Sequence, residues 1–213
     1  NKDEIEKLAK ASELNDEIMR KVQNLLEVGK SEKEIAESIY KLHEANDPLG
    51  VSFTPIVLFS ENSADPHGMP SNRKLKEDDY VLVDMGGHYQ SYASDMTRCF
   101  FPKQGHKMQE IYEIVLQANK AAIKAIRPGA LLSDVDYAAR SVIEKHGYKD
   151  QFVHRTGHGV GIEVHEVLDV SQSSNTVIKE GMCFSIEPGI YLEGIGGIRI
   201  EDLVIVEEDG ARI

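Results

Sequence analysis

Cysteine is scarce in this 213-residue chain, with only Cys99 and Cys183 present. Two thiols give no disulfide framework. Both lie in apolar runs, so they are expected as buried free thiols of a reducing cytosol. No apolar run approaches the roughly 20 residues a membrane span needs, and no basic-then-apolar leader opens the chain. No initiator Met precedes Asn1; that start reads as a processed chain or an excised fragment, with an N-terminal domain expected upstream. Positive charge is in deficit: 24 Lys and Arg stand against 36 Asp and Glu, a net −12. The balance argues against nucleic acid, whose phosphates demand a basic stripe. It also means that a carboxylate cluster in the interior needs a cation.

What is present suffices for one domain over residues 1–213. A chain of this length can hide about 70% of the surface it exposes unfolded. Residues 2–28 read as a helix with Ile5, Leu8, Ile18, Val22, Leu25 and Leu26 on one stripe, stopped by Gly29. Ser31 with Glu34 forms a capping box for a second helix to about Ala45. Residues 51–59 read as a strand, with an edge or bulge at Pro55. A polar loop, 60–73, carries His67. Strand, turn and strand follow in YVLVDMGGHYQSYASDMTRCFF. Helices are expected over 107–126 and from Ser133 to a cap at Gly147. Strands are expected over 182–189 and 197–208. The order of elements gives the α+β class.

The acids on these strands are out of place. Asp84 ends the apolar run Val81-Leu82-Val83, and Asp95 lies on the returning strand. A hairpin tip near Tyr89–Gln90 sets the two directly opposite, about 5 Å apart at Cβ. Glu187 ends the apolar run Cys183–Ile186. Glu201 shares a strand face with Arg199, while Ile198 and Ile200 pack on the other. Carboxylates this close repel unless one is protonated or a cation lies between them. Four of them carry about −4, which two divalent ions cancel. Oxygen ligands with a single imidazole favour Mn²⁺, with Co²⁺, Fe²⁺ or Zn²⁺ as alternatives.

The stretch HRTGHGVGIEVHE, residues 154–166, holds three histidines among three glycines. The His154/His158 spacing suits a helical zinc site, but each Gly costs a helix roughly 1 kcal/mol relative to Ala. The glycines do not fit G-x-G-x-x-G, which removes the phosphate-loop reading. An extended, bent segment remains, with His158 on the metals and His154 and His165 beside them.

Together VLVDMGG, SYASDMTR, HRTGHGVGIEVHE, SIEPGIY and GIRIED resemble the pita-bread-fold metallopeptidases, the family of methionine aminopeptidases, Xaa-Pro aminopeptidases and prolidases. The resemblance spans essentially the whole chain. It implies a curved antiparallel sheet with flanking helices and a two-metal centre held by Asp84, Asp95, His158, Glu187 and Glu201. It further implies His67 as a catalytic loop histidine, with His154, His165 and Arg199 as groups around the metals. Glu187 is also expected to relay a proton to the leaving amine, and His67 and His165 to donate to the carbonyl oxygen. GIRIED, with Arg before the last acid, is similar to the proline-specific branch. The expected activity is hydrolysis of Xaa-Pro bonds, as a dipeptidase or an aminopeptidase. Methionine aminopeptidase and a catalytically silent binding module are the alternatives. The implied partners are a peptide substrate and, for the whole protein, a second copy in a homodimer. Neither nucleic acid nor a membrane is expected, and the cytoplasm is the expected location.

Overall fold

A computed structural model describes residues 1–213. Helix α1 (Lys2–Val22) opens with a capping box between Asn1 and Glu4 and buries Leu8, Ala11, Asn15, Ile18, Met19 and Val22. It stops at Val22, six residues short of the sequence-based expectation, and a 3₁₀ turn takes the chain to Leu25. Helix α2 (Glu32–Glu44) starts from the Ser31/Glu34 capping box. The two helices cover a sheet of β1 (Ile56–Phe59), β2 (Val81–Met85) and β5 (Met96–Phe100), ordered β1-β2-β5 and antiparallel. Strand β1 begins only after Pro55, which has no amide hydrogen for a ladder.

Between β2 and β5 lies the short hairpin β3 (His88–Tyr89) and β4 (Tyr92–Ala93). Its tip is Gln90–Ser91, both with positive φ (48° and 72°), the two-residue turn that matches strand twist. The tip therefore lies one residue beyond the expected position, and the register moves by two. Asp84 pairs with Thr97, not Asp95. Because strand faces alternate with period two, that shift leaves both acids on one face as diagonal neighbours.

Helices α3 (Gln109–Ala125) and α4 (Leu132–Lys145) pack together and cover a second sheet. Its order is β12-β11-β8-β6-β7, from β6 (Gly157–Gly159), β7 (Glu166–Val170), β8 (Cys183–Ile186), β11 (Asp202–Glu207) and β12 (Gly210–Arg212). A hairpin of β9 (Gly189–Leu192) and β10 (Gly196–Arg199) stands between β8 and β11. Each expected C-terminal strand is thus two: Glu187–Pro188 breaks one and Ile200–Glu201 the other. The sheets meet at an isolated bridge between Thr97 and Glu201.

Each helix pair seals an apolar layer against its sheet. Val81, Val83 and Met85 belong to the layer under α1 and α2, and Phe184, Ile186, Val204 and Val206 to the layer under α3 and α4. Alternation then turns Asp84, Ser185 and Glu187 to the opposite faces, toward each other. No helix is long and apolar enough to cross a membrane.

Candidate metal centre and active site

Between the two sheets lies a cleft of about 210 Å³, lined by His67, Asp84, Asp95, His154, His158, His165, Glu187, Arg199 and Glu201, with Phe53 and Ile56 as its apolar wall. All nine side chains singled out in the sequence reach this one space. Asp84, Asp95, His158, Arg199 and Glu201 are buried. His67 and His165 are exposed at the rim.

His158 is fixed by backbone first. Strand β6 runs so close to β8 that a Cβ on Gly157 would fall 1.8 Å from the Ser185 carbonyl oxygen. The glycines flanking His158 therefore permit close strand packing. A bulge between His158 and Gly159 bends the strand locally. His158 Nε2 then sits 3.6 Å from Asp95 Oδ2 and 3.3 Å from Glu187 Oε1. Asp95, His158 and Glu201 each offer a ligand atom, all within 4.8 Å of one another.

Arg199 organises the acids from one side. It donates to Asp84 Oδ2 at 2.7 Å, Thr97 Oγ1 at 3.1 Å, Tyr191 Oη at 2.9 Å and the Pro66 carbonyl at 3.3 Å. Thr97 Oγ1 in turn donates to Glu201 Oε2 at 2.7 Å. One guanidinium offsets only one of four carboxylates, so at full ionisation three negative charges remain. Burial, then repulsion from Glu201, Asp84 and Glu187, raises Asp95 well above the usual carboxylate range. Burial and the other acids raise Glu201 likewise. Burial lifts Glu187 to about 7 despite the nearby Arg199. It also lowers His158 to about 4, which leaves the imidazole neutral at pH 7 and free to ligate.

Two carboxylate oxygens aimed into this space, Asp84 Oδ1 and Glu201 Oε1, are buried with no hydrogen-bond partner. Buried acceptors without partners are rare in folded proteins, and a bound ion is one way to satisfy them. Hard oxygen donors, a neutral imidazole and surplus negative charge fit divalent cations.

Tyr191, to which the sequence assigns no role, is buried with its hydroxyl between Arg199 and His154. His154 Nδ1 faces the Arg155 carbonyl at 2.7 Å, so that nitrogen carries the hydrogen and Nε2 accepts from the Tyr191 hydroxyl at 2.8 Å. Behind the segment, Arg140 pairs with buried Asp136 and donates to the carbonyls of Phe152 and His154, while Thr156 donates to Asp136. Nothing local in the sequence marks Tyr191. The Asp136/Arg140 i,i+4 spacing is the one available signal, and it reads equally as a surface pair.

The profile of metallopeptidase family M24 matches residues 6–208. The chain belongs to metallopeptidase family M24. Among its relatives, an uncharacterized peptidase of Staphylococcus saprophyticus is 45% identical over 208 residues, covering 97% of this chain and 59% of the relative. One from Staphylococcus aureus (strain bovine RF122 / ET3-1) is 42% identical over 214 residues, covering 100% and 61%. Of solved structures, prolidase from Pyrococcus furiosus superposes with a TM-score of 0.96 at 41% identity, over 100% of this chain and 63% of that one. X-Pro aminopeptidase from Thermotoga maritima gives 0.95 at 35% identity, over 100% and 61%. The chain spans about six-tenths of the length of these proteins. Its fold is the α+β pita-bread fold of the M24 peptidases.

Proposed function

We propose that this chain is the catalytic domain of a metallo-exopeptidase that cleaves Xaa-Pro bonds at the N-terminus of short peptides. The observation that carries the reading is the pair of unpartnered carboxylate oxygens in a cleft that holds four acids, with the neutral imidazole of His158 among them. Asp84, Asp95, His158, Glu187 and Glu201 would hold two divalent ions, most readily Mn²⁺ on this oxygen-rich set. Bound there, such ions polarise a peptide carbonyl and acidify a water.

The chain's own residues do the rest. His67 and His165, at the rim, donate hydrogen bonds to the carbonyl oxygen as it gains charge. Glu187, on the floor of the cleft, carries a proton to the leaving amine. Arg199 fixes the rotamer of Asp84, and His154 faces the substrate side with Tyr191 behind it. The preference for proline rests on likeness to the prolidase and the X-Pro aminopeptidase. A cytoplasmic homodimer of the whole protein is part of the same proposal.

The test is hydrolysis of an Xaa-Pro dipeptide and an Xaa-Pro tripeptide with Mn²⁺, alongside elemental analysis of Asp84→Ala and Glu201→Ala. Turnover by the parent chain and loss of metal from both variants are expected. Full metal content in either variant removes that residue from the ligand set, and inertness toward both peptides with metal bound refutes the peptidase reading.

A further inference from the structure

Glu32 is fully buried at the first position of α2, far along the sequence from every acid of the cleft. Its Oε1 accepts from the Phe59 amide at 2.8 Å and from Asn62 Nδ2 at 2.9 Å. Its Oε2 accepts from the Ser71 amide at 2.8 Å and the Ser71 hydroxyl at 2.6 Å. All four donors are neutral, so the charge is held by hydrogen bonds and by the positive end of the helix. The donors flank one segment: Phe59 is the last residue of β1, and Ser71 lies just before the chain returns to α2. Two amides of α2 tie the same exit, Glu32 to the Arg73 carbonyl at 3.2 Å and Lys33 to the Ser71 carbonyl at 3.1 Å. The loop closed in this way carries His67 into the cleft and presents the Pro66 carbonyl to Arg199.

We infer that Glu32 is a positioning residue for His67, a charged clasp joining the entry and exit of the loop. The inference rests on the peptidase reading for its kinetic arm only. A carboxylate is required because both of its oxygens accept. A carboxamide offers one acceptor and one donor. Asn62 can turn its amide and Ser71 its hydroxyl to suit, but a backbone N–H cannot turn. Glu32→Gln therefore leaves either the Phe59 or the Ser71 amide facing an NH₂ group, whichever way the carboxamide is flipped.

The experiment combines hydrogen exchange by mass spectrometry with kinetics on Glu32→Gln, His67→Ala and the double variant, all loaded with Mn²⁺. Exchange should rise in residues 59–73 while metal content stays at the parent level. On an Xaa-Pro dipeptide, kcat should fall about 10- to 100-fold with little change in KM, less than the roughly 10²–10³ that losing one oxyanion donor outright costs. In the His67→Ala background the same change should cost little more, because both act through one loop. Unchanged exchange in the loop, or an equal loss of kcat in both backgrounds, overturns the inference. Should Glu32→Gln fail to fold, Ser71→Ala removes one donor and must move exchange in the same direction by less. Should the parent chain hydrolyse no peptide, the peptidase reading fails, and the exchange result still decides whether Glu32 holds the loop.

Discussion

Stripping divalent ions with a chelator should make this protein less stable at pH 7.5 than at pH 5. The cause is Glu187, whose carboxyl is raised by burial from an ordinary 4.5 to about 7. Its raised value means that the folded chain keeps a proton the unfolded chain releases. Between pH 4.5 and 7 the folded state thus binds one more proton, and unfolding free energy falls by about 1.4 kcal/mol per pH unit. Across the window the loss from this one group is about 3 kcal/mol, and above pH 7 it is complete. For a domain of this size that corresponds to a melting point lower by about 6–12 °C. Asp95 and Glu201 shift in the same direction and add to the loss. Adding Mn²⁺ should reverse the sign, because a bound dication favours the ionised acids. Thermal melts at both pH values, with chelator and with Mn²⁺, measure the effect, and stripped Glu187→Gln should show a flatter dependence. A stripped protein that melts at the same or a higher temperature at pH 7.5 would refute the electrostatic account of the cleft.

Three further outcomes follow from the same geometry. Arg140→Ala leaves Asp136 charged and buried with only Thr156 to satisfy it, so urea unfolding should show a loss of about 3–5 kcal/mol; a change below about 1 kcal/mol would show that solvent reaches the pair. Tyr191→Phe strips a hydroxyl from between Arg199 and His154, so stability should fall by about 1–3 kcal/mol and peptide turnover with it, at unchanged metal content; parent-level turnover would remove Tyr191 from the working cleft. Gly157→Ala puts a methyl group into the Ser185 carbonyl, so metal content measured after purification should drop as β6 moves away from β8; full metal content would mean the strands can part without moving His158.

Features whose partners lie close along the chain are legible from the sequence alone. The Ser31/Glu34 capping box, the stop at Gly147 and the apolar runs ending in acids each follow from local spacing, and the fold places each of them there. The Asp84–Asp95 register departs from the expected one by two because nothing in the sequence announces the turn type: Gln90 and Ser91 both adopt positive φ without a glycine. The face is unaffected, since its period is also two. Strand β7 and the division of the last two strands are not legible, because they depend on which backbone comes alongside. Glu32, Asp136 and Tyr191 have ordinary local sequence. Their importance comes from donors and acceptors up to several tens of residues away, and a single sequence carries no such pairing.

Arg199 and Asp84, joined across 115 positions, have one more implication. On the proposed ligand set neither half of the polypeptide would be complete: Asp84 and Asp95 come from the β2–β5 side, and His158, Glu187 and Glu201 from β6 and from the ends of β8 and β10. A split version, severed in the connection after α3, should bind no ion as separate pieces and recover binding only when both are mixed and reassociate. If the proposed ligands hold the metal, its uptake would report completed assembly and during synthesis would wait for Glu201.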